Sequence, residues 1–461
     1  MLSTYQTLDR QFWRKLIDIG LPVSMQAMLF SLLGVVDIFM VSQLGESATA
    51  AVGVGNRIFF FNLIVIVGTS GAVSVLASQY FGAGNIDGIK RTLAQTWAVA
   101  ILVTLPFVIL YTFAPVSVVS IVASDPEYIT LATDYLWVTA VSLLLTAVVV
   151  PMESALRAVG EAKMPTNVSI IAIFINAFLN ALLIFGLFGF PELGVLGAAI
   201  GTLVSRIFHT VILFYLVNKR YSHLLPTQCS WQDAKLPEHR RRYIKIATPM
   251  IIHDTCWAGG LIIYSVIIGQ LGVGELAIIS LLAPIESVLI SAFLGFAVAA
   301  SIILGNEIGA KNYQRVSDTS WWYVITSCIL SILLALLCLI AEPLITKAFY
   351  HSPLSDPEMA VKVCLVMAFG MILKVFNMVG IGGVLKSGGD IKYSIFIDLF
   401  GQWAIGIPLA YFTGIVLGWP LHMVMMVILL EEVIKIFLTA QRIHSKKWIN
   451  NLVEEPSPQM I

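Results

Sequence analysis

The stretch Ile19–Gly45, IGLPVSMQAMLFSLLGVVDIFMVSQLG, contains a single ionisable side chain, the carboxyl of Asp37. It is apolar and long enough to cross a bilayer as one tilted helix. A charge near the middle of such a span costs about 2.5–3.5 kcal/mol on insertion scales, so the carboxyl should face protein or water. The chemistry open to it is binding and release of a proton or a small cation. The bland alternative is a buried acid that only bonds a neighbouring helix. Asn176 and Asn180 stand i,i+4 on a later apolar segment and so share one helix face. Two amides there offer both donors and acceptors to a carboxyl in either protonation state. Interhelical hydrogen-bond glue explains the same pair. Thr202 and Arg206 share a face of the following segment, and Tyr135 sits early in the fourth. These three are candidates for lining a substrate cavity, with packing or an interfacial position as the alternative.

Other ionisable residues inside apolar segments are Glu153, Asp254 beside His253, Glu286 after Pro284, Lys374, Asp398 and the pair Glu431-Glu432. Glu286 joins the cavity candidates. Lys374 is expected to pair with Asp398 across adjacent helices, and Glu431 with Lys435 one turn on, near a helix end. No GxxxxGK[ST] loop is present, so nucleotide hydrolysis by that route is excluded. The seven histidines form no HExxH and no close pair within a span, which argues against an intramembrane metal enzyme. The five cysteines show no CxxC spacing and read as small apolar packers.

The segments that must position these residues are membrane spans. Of the 461 residues 58% are hydrophobic and only 12% charged, against about 25% charged in soluble domains; mean hydropathy is +0.90. The expected spans are 14–42, 53–80, 93–121, 128–156, 164–188, 194–218, 243–270, 277–305, 319–348, 358–385, 393–417 and 420–446. The last two are separated at Leu417-Gly418-Trp419-Pro420. Basic residues gather before the first span and in every second connection. The intervening loops carry mainly Glu46, Asp125, Glu127, Glu192 and Glu275. The positive-inside rule then places both termini in the cytoplasm. No cleavable signal peptide precedes the first span, so that helix is its own insertion signal. The basic and acidic residues, 27 of each, cancel and give no reason to expect nucleic acid.

The chain repeats itself. At an offset of 227, Pro22 falls on Pro249, Gln43-Leu44-Gly45 on Gln270-Leu271-Gly272, Gly68 on Gly295 and Asn85 on Asn312. At 229, Gly160-Glu161-Ala162-Lys163 falls on Gly389-Asp390-Ile391-Lys392. Six spans per copy make a parallel repeat about an axis along the membrane normal. The expected organisation is an N-terminal lobe over 1–218, a cytoplasmic linker over 219–242 and a C-terminal lobe over 243–461. Asp37 falls on Tyr264, so its carboxyl is unique to the first copy.

The segments VVDIFMVSQLG, AAVGVGN and ASQYFGAGN, with their later copies IIGQLGVGELAIISLLAPIES and GFAVAASIILGNEIGAKN, resemble the multidrug and toxic compound extrusion (MATE) transporters over nearly the whole chain. LAPIES and LLEEVIK resemble the DinF-like branch more than the NorM-like one. The resemblance implies an all-α, V-shaped pair of six-helix lobes in the inner membrane. It also implies export of cationic or amphipathic drugs in exchange for protons or sodium, with no resident cofactor. Asp37 stands where the family's first helix carries the coupling aspartate, and Asn176 at the family's fifth-helix asparagine. A second acid of some DinF-like members is here Asn180, and the NorM-like seventh-helix glutamate is missing, its place falling near Cys256.

With one carboxylate fewer, a sodium cage is harder to assemble, because hard cations favour several oxygen ligands. Proton coupling through Asp37, Asn176 and Asn180 is the expectation, with sodium the less favoured ion. The first helix would repack by bending at Gly34 or around Pro22. An apolar, aromatic and Met-rich wall that can repack fits a broad range of small-molecule drugs. The chain is expected to act as a monomer and not as an enzyme. A flippase for lipid-linked saccharides is the rival function; it calls for a more cationic cavity than Arg57, Arg206 and Lys374 supply.

Overall fold

The computed structural model describes residues 10–120, 126–350 and 356–454, which leaves Asp125 of the loop-charge reading outside. Those residues form long α-helices and no strand. In chain order they are α1 Arg10–Ser42, α2 Glu46–Gly82, α3 Ile86–Phe113, α4 Pro126–Ala158, α5 Lys163–Phe185 and α6 Gly194–Arg220. The second set is α7 Pro237–Leu271, α8 Val273–Gly309, α9 Tyr313–Ile340, α10 Pro357–Leu385, α11 Ile391–Val416 and α12 Leu421–His444. Eleven of them are long and apolar enough to span a membrane. The last, α12, matches them in length but carries Glu431, Glu432 and Lys435 near its centre. This is an all-α, multi-pass membrane protein.

Local chemistry sets the ends. Asn85 caps α3 by accepting from Gly88 N at 2.8 Å, and Asp356 caps α10 by accepting from Met359 N at 2.9 Å. Gly186, at φ +64°, ends α5 in the left-handed conformation that glycine adopts without penalty. The break between α11 and α12 falls where expected, with Gly418 at φ +64° and Pro420 capping α12. The span expected over 319–348 is divided: α9 stops at Ile340 and a separate helix runs from Glu342 to Tyr350. Pro343 explains the division, since proline is at home in a first helical turn and disrupts an interior.

The chain packs as two units, one of residues 29–255 and one of residues 1–28 with 256–461. Their boundaries fall inside α1 and α7, whereas the expected lobes were divided at the 219–242 linker. In the second unit the start of α1 lies against α8. Ser24 Oγ donates to Ala292 O at 2.6 Å, and a Cβ on Gly295 would strike the Gly20 carbonyl and Ser24. In the first unit the start of α7 lies against α2, where a Cβ on Gly68 would sit 3.1 Å from Ile251 Cα. Gly68 and Gly295 are repeat mates, as are Ser24 and Ile251, so one close contact is made twice. α1 itself is continuous through Pro22 and Gly34.

The duplication extends to backbone angles. Gly45 (φ +107°) matches Gly272 (φ +158°), Gly160 (+88°) matches Gly389 (+71°), and Gly84 (+70°) matches Lys311 (+62°). Lysine at Lys311 thus holds a left-handed conformation that costs an L residue about 1–2 kcal/mol. Its exposed pair with Glu454 at 2.6 Å offsets little of that.

Between α4 and α5, Glu161 accepts from Met164 N at 3.0 Å and from the Tyr221 hydroxyl at 2.6 Å, tying that loop to the end of α6. The bond to Glu161 and burial push the Tyr221 phenol up to about 12. The folded value lies above the unfolded one, so the contribution of this bond is complete below about pH 10 and fades as pH rises through 12.

Two outcomes follow for measurement. Lys311→Gly should raise thermal stability in detergent by about 1 kcal/mol, because it relieves the left-handed strain. Ultraviolet titration should show a tyrosine ionising near 12 that is lost in Tyr221→Phe and shifted down in Glu161→Gln.

Candidate functional site

In the first unit α1, α5 and α6 bring four polar side chains together. Asn180 Nδ2 donates to Asp37 Oδ1 at 2.8 Å and lies 3.4 Å from Asn176 Oδ1; Asn176 Nδ2 in turn reaches Thr202 Oγ1 at 3.4 Å. The Thr202 hydroxyl donates back to Ala198 O at 3.0 Å. Only the Asn180 amide donates to the carboxylate; the remaining bonds run outward through Asn176 and Thr202 to the α6 backbone. Asp37 is half-buried, while Asn176 and Asn180 are buried. The carboxyl is therefore turned to protein, and its bonded partner is an amide, not a lysine.

α5 and α6 pack closely because Gly197 and Gly201 let the backbones approach. A Cβ on Gly201 would overlap Asn180 Oδ1, an atom that is buried with no hydrogen-bond partner. The amide thus donates to a carboxylate and keeps a spare acceptor, which a protonated carboxyl can use after the amide turns over.

Tyr135 is buried at 5% exposure among Val41, Val52, Val138, Ile184 and Ala198. Its hydroxyl donates to Asn56 Oδ1 at 2.8 Å, and its ring lies on Gly55 within electrostatic reach of Asp37. It walls the carboxylate site from within the core. Arg206 turns elsewhere: its charge interacts with Glu153, which Arg157 Nη2 holds at 2.8 Å and His209 Nε2 approaches to 3.3 Å. The sequence reading missed His209. The i,i+4 spacing of Glu153 and Arg157 was the available signal for part of that cluster. His253 Nδ1 and Asp254 Oδ1, 2.7 Å apart, form a further pair in this unit.

Glu286 lies in the other unit, where α8 meets α10. There Lys374 Nζ donates to its Oε1 at 2.5 Å. This overturns the expected pairing of Lys374 with Asp398, which instead stands 3.8 Å from Lys435. Lys435 makes an ion pair with Glu431 and lies 3.9 Å from Glu432. The pair sits at the middle of α12, not near its end. A cavity of about 650 Å³ is lined by Ser42, Gly45, Thr49, Ala50, Gly53, Val54 and Arg57; it includes none of the four predicted cavity residues. Among the described residues, no cluster of three His, Cys, Asp or Glu side chains is placed to hold a metal ion.

The chain is thus a duplicated bundle of membrane helices with an amide-held carboxyl inside one copy. The MatE family model matches residues 22–182 and 249–412, once in each copy, and the chain belongs to this family, the multidrug and toxic compound extrusion transporters. Its members are transporters, not enzymes. The chain is 24% identical over 448 residues to the uncharacterized transporter YisQ of Bacillus subtilis, covering 96% of each chain. It is 26% identical over 407 residues to a probable multidrug resistance protein NorM of Thermotoga maritima, covering 86% of this chain and 85% of that one. An outward-facing multidrug resistance MATE transporter superimposes with TM-score 0.85 at 16% identity over 94% of this chain and 96% of the other. A MATE in a bent conformation gives 0.82 at 18% over 96% and 98%.

Gly201→Ala should displace the Asn180 amide and cost about 1–3 kcal/mol, read as a lowered unfolding midpoint in detergent. Gly53→Ala, where a Cβ meets nothing within 4 Å, is the control that should leave the midpoint unchanged.

Proposed function

We propose that this chain is a secondary active multidrug exporter that exchanges cationic or amphipathic small molecules for protons by alternating access, with Asp37 as the coupling carboxylate. The observation that carries the reading is the Asp37–Asn180 hydrogen bond inside a membrane span. Its partner is an amide with a spare acceptor, so the site serves both protonation states. A salt bridge would have favoured one of them. The probable multidrug resistance relatives support the class of cargo.

Protons are favoured over sodium because Asp37 is the only acid in its cluster, flanked by two amides and a hydroxyl. A dehydrated hard cation calls for more oxygen ligands and more negative charge than that. Protonation from the outer side would loosen the Asn180 contact and let the second half of α1 repack; release to the cytoplasm would restore it. The protein is placed in the inner membrane with both termini cytoplasmic, in line with the basic residues of alternate connections. It is taken to work as a monomer, nearest the DinF-like branch.

Everted vesicles separate the ions. A proton gradient alone should drive dye uptake, and a sodium gradient at matched pH should not. Asp37→Asn should reduce proton-driven uptake at least tenfold while leaving expression and detergent stability close to wild type. Full activity in Asp37→Asn, or uptake that follows sodium alone, would overturn the assignment.

A further inference from the structure

The repeat has a consequence in the second unit. Arg206-Ile207-Phe208-His209-Thr210 on α6 falls at offset 229 on Lys435-Ile436-Phe437-Leu438-Thr439 of α12, with Thr202 on Glu431. Asp37 falls on Tyr264 at 227. The counterparts of the α1–α6 residues near the first site therefore meet again, with the acid moved from the α1 position to the α6 position. The Tyr264 hydroxyl donates to Glu431 Oε2 at 2.5 Å, and Lys435 Nζ holds the other carboxylate oxygen.

This second cluster is built into its surroundings. Glu431 and Lys435 are 4% and 5% exposed. α11 opens beside them into wide i to i+5 turns over Phe400–Gly406, a rare geometry that concentrates at functional sites. The glycines of that segment make the room. A Cβ on Gly401 would strike Lys435 Cε and approach Glu431 Cγ, and one on Gly406 would strike the Tyr264 hydroxyl and Glu431 Oε2. Asp398 and Glu432 face the same ammonium at 3.8 and 3.9 Å, and Lys374, bound to Glu286, is within electrostatic reach of Glu431 and Glu432. Asn377 Nδ2 donates to Glu432 Oε2 at 2.7 Å, yet its Oδ1, on a side chain 5% exposed, has no hydrogen-bond partner. Three carboxylates thus approach one alkylammonium, and a phenol and an amide bond two of those carboxylates.

We propose that the second unit carries a cation site, the repeat counterpart of the Asp37 site, whose occupant is the covalently attached ammonium of Lys435. A primary alkylammonium is the ligand chemistry it recognises. In the intact protein the tether keeps the site filled, so this copy takes up no ion from solution during a cycle and exchange is left to Asp37. The analogy borrows the reading of Asp37 as a coupling acid, but the test does not.

The test uses the purified full chain in detergent. Lys435→Ala removes the ammonium and leaves buried carboxylate charge uncompensated, which lowers the unfolding midpoint. Methylammonium or ethylammonium at millimolar concentration should raise that midpoint by at least about 2 °C, increasing with concentration as for a saturable site, and should leave wild type unmoved. Tetramethylammonium, too large and without N–H donors, should not act, nor should sodium as the chloride; a rescue by either equal to that by the amine would overturn the assignment. The rescue should persist in Asp37→Asn/Lys435→Ala, so a failed coupling assignment would leave this result standing. If Lys435→Ala gives no folded protein, Lys435→Gln extracted with and without ethylammonium serves instead, and recovery only with the amine supports the proposal. No response to any amine, or a Glu431→Leu/Lys435→Met variant matching wild type in stability and transport, would reduce the cluster to an internal ion pair and overturn it.

Discussion

The hydrogen bond from Asn180 to Asp37 is the contact on which the arrangement of the first unit turns. A carboxyl in an apolar span needs a polar partner or water, because no lipid atom can replace its hydration. That partner is available only if α5 and α6 approach closely, which Gly197 and Gly201 permit, and if Asn180 is itself held by Asn176 one turn away. Tyr135 then closes the site from the core side while its hydroxyl is satisfied by Asn56. The glycines, the asparagine pair and the tyrosine are thus answers to one requirement: keeping a single acid wet or bonded inside a membrane.

The second unit meets the same requirement differently. Its α1-equivalent position offers a phenol, the acid appears on α12, and a lysine one turn along supplies the opposite charge. A buried pair of this kind loses much of its Coulomb gain to desolvation, so it is weak evidence for stability. Gly401 and Gly406 leave the space that these side chains occupy. The duplicated scaffold holds two polar clusters near equivalent places, one with an acid paired to a lysine and one with an acid bonded to an amide.

Much of this was legible in the sequence. The apolar runs, the loop charges and the offsets of 227 and 229 specify twelve spans in two copies, since bilayer thickness and helix rise leave little freedom. Asn176 and Asn180 could be grouped because i,i+4 spacing fixes a shared face whatever the tertiary contacts are, and the family resemblance set Asp37 beside them. Pairings between distant helices could not, and Lys374 shows why. Charge alone made Asp398 as good a partner as Glu286, and only the packing of α8 on α10 decides. The role of Gly201 was equally hidden, because a glycine in a helix says nothing of what its missing side chain makes way for. The wide turns of α11 have no periodic signature at all.

The unit boundaries add a constraint that neither the site nor the repeat states alone. α1 is one unbroken helix, yet residues up to Met28 belong with 256–461 and residues from Leu29 belong with the unit holding Asp37. α7 is divided between the units in the same sense at Thr255 and Cys256. Each crossing helix carries a proline before its boundary, Pro22 in α1 and the equivalent Pro249 in α7. A proline removes one i to i−4 bond and makes bending there cheaper than in an uninterrupted helix. Any change in how the second half of α1 sits on α5 and α6 must therefore be absorbed near Pro22 or passed to the contact of Gly20 and Ser24 with α8. That contact is a close backbone approach with a 2.6 Å hydrogen bond, and so has little slack. In the coupling reading, the proton on Asp37 acts through this helix. The equivalent position of α7 is Tyr264, so beyond the crossing points the carboxyl stands on α1 alone of the two helices.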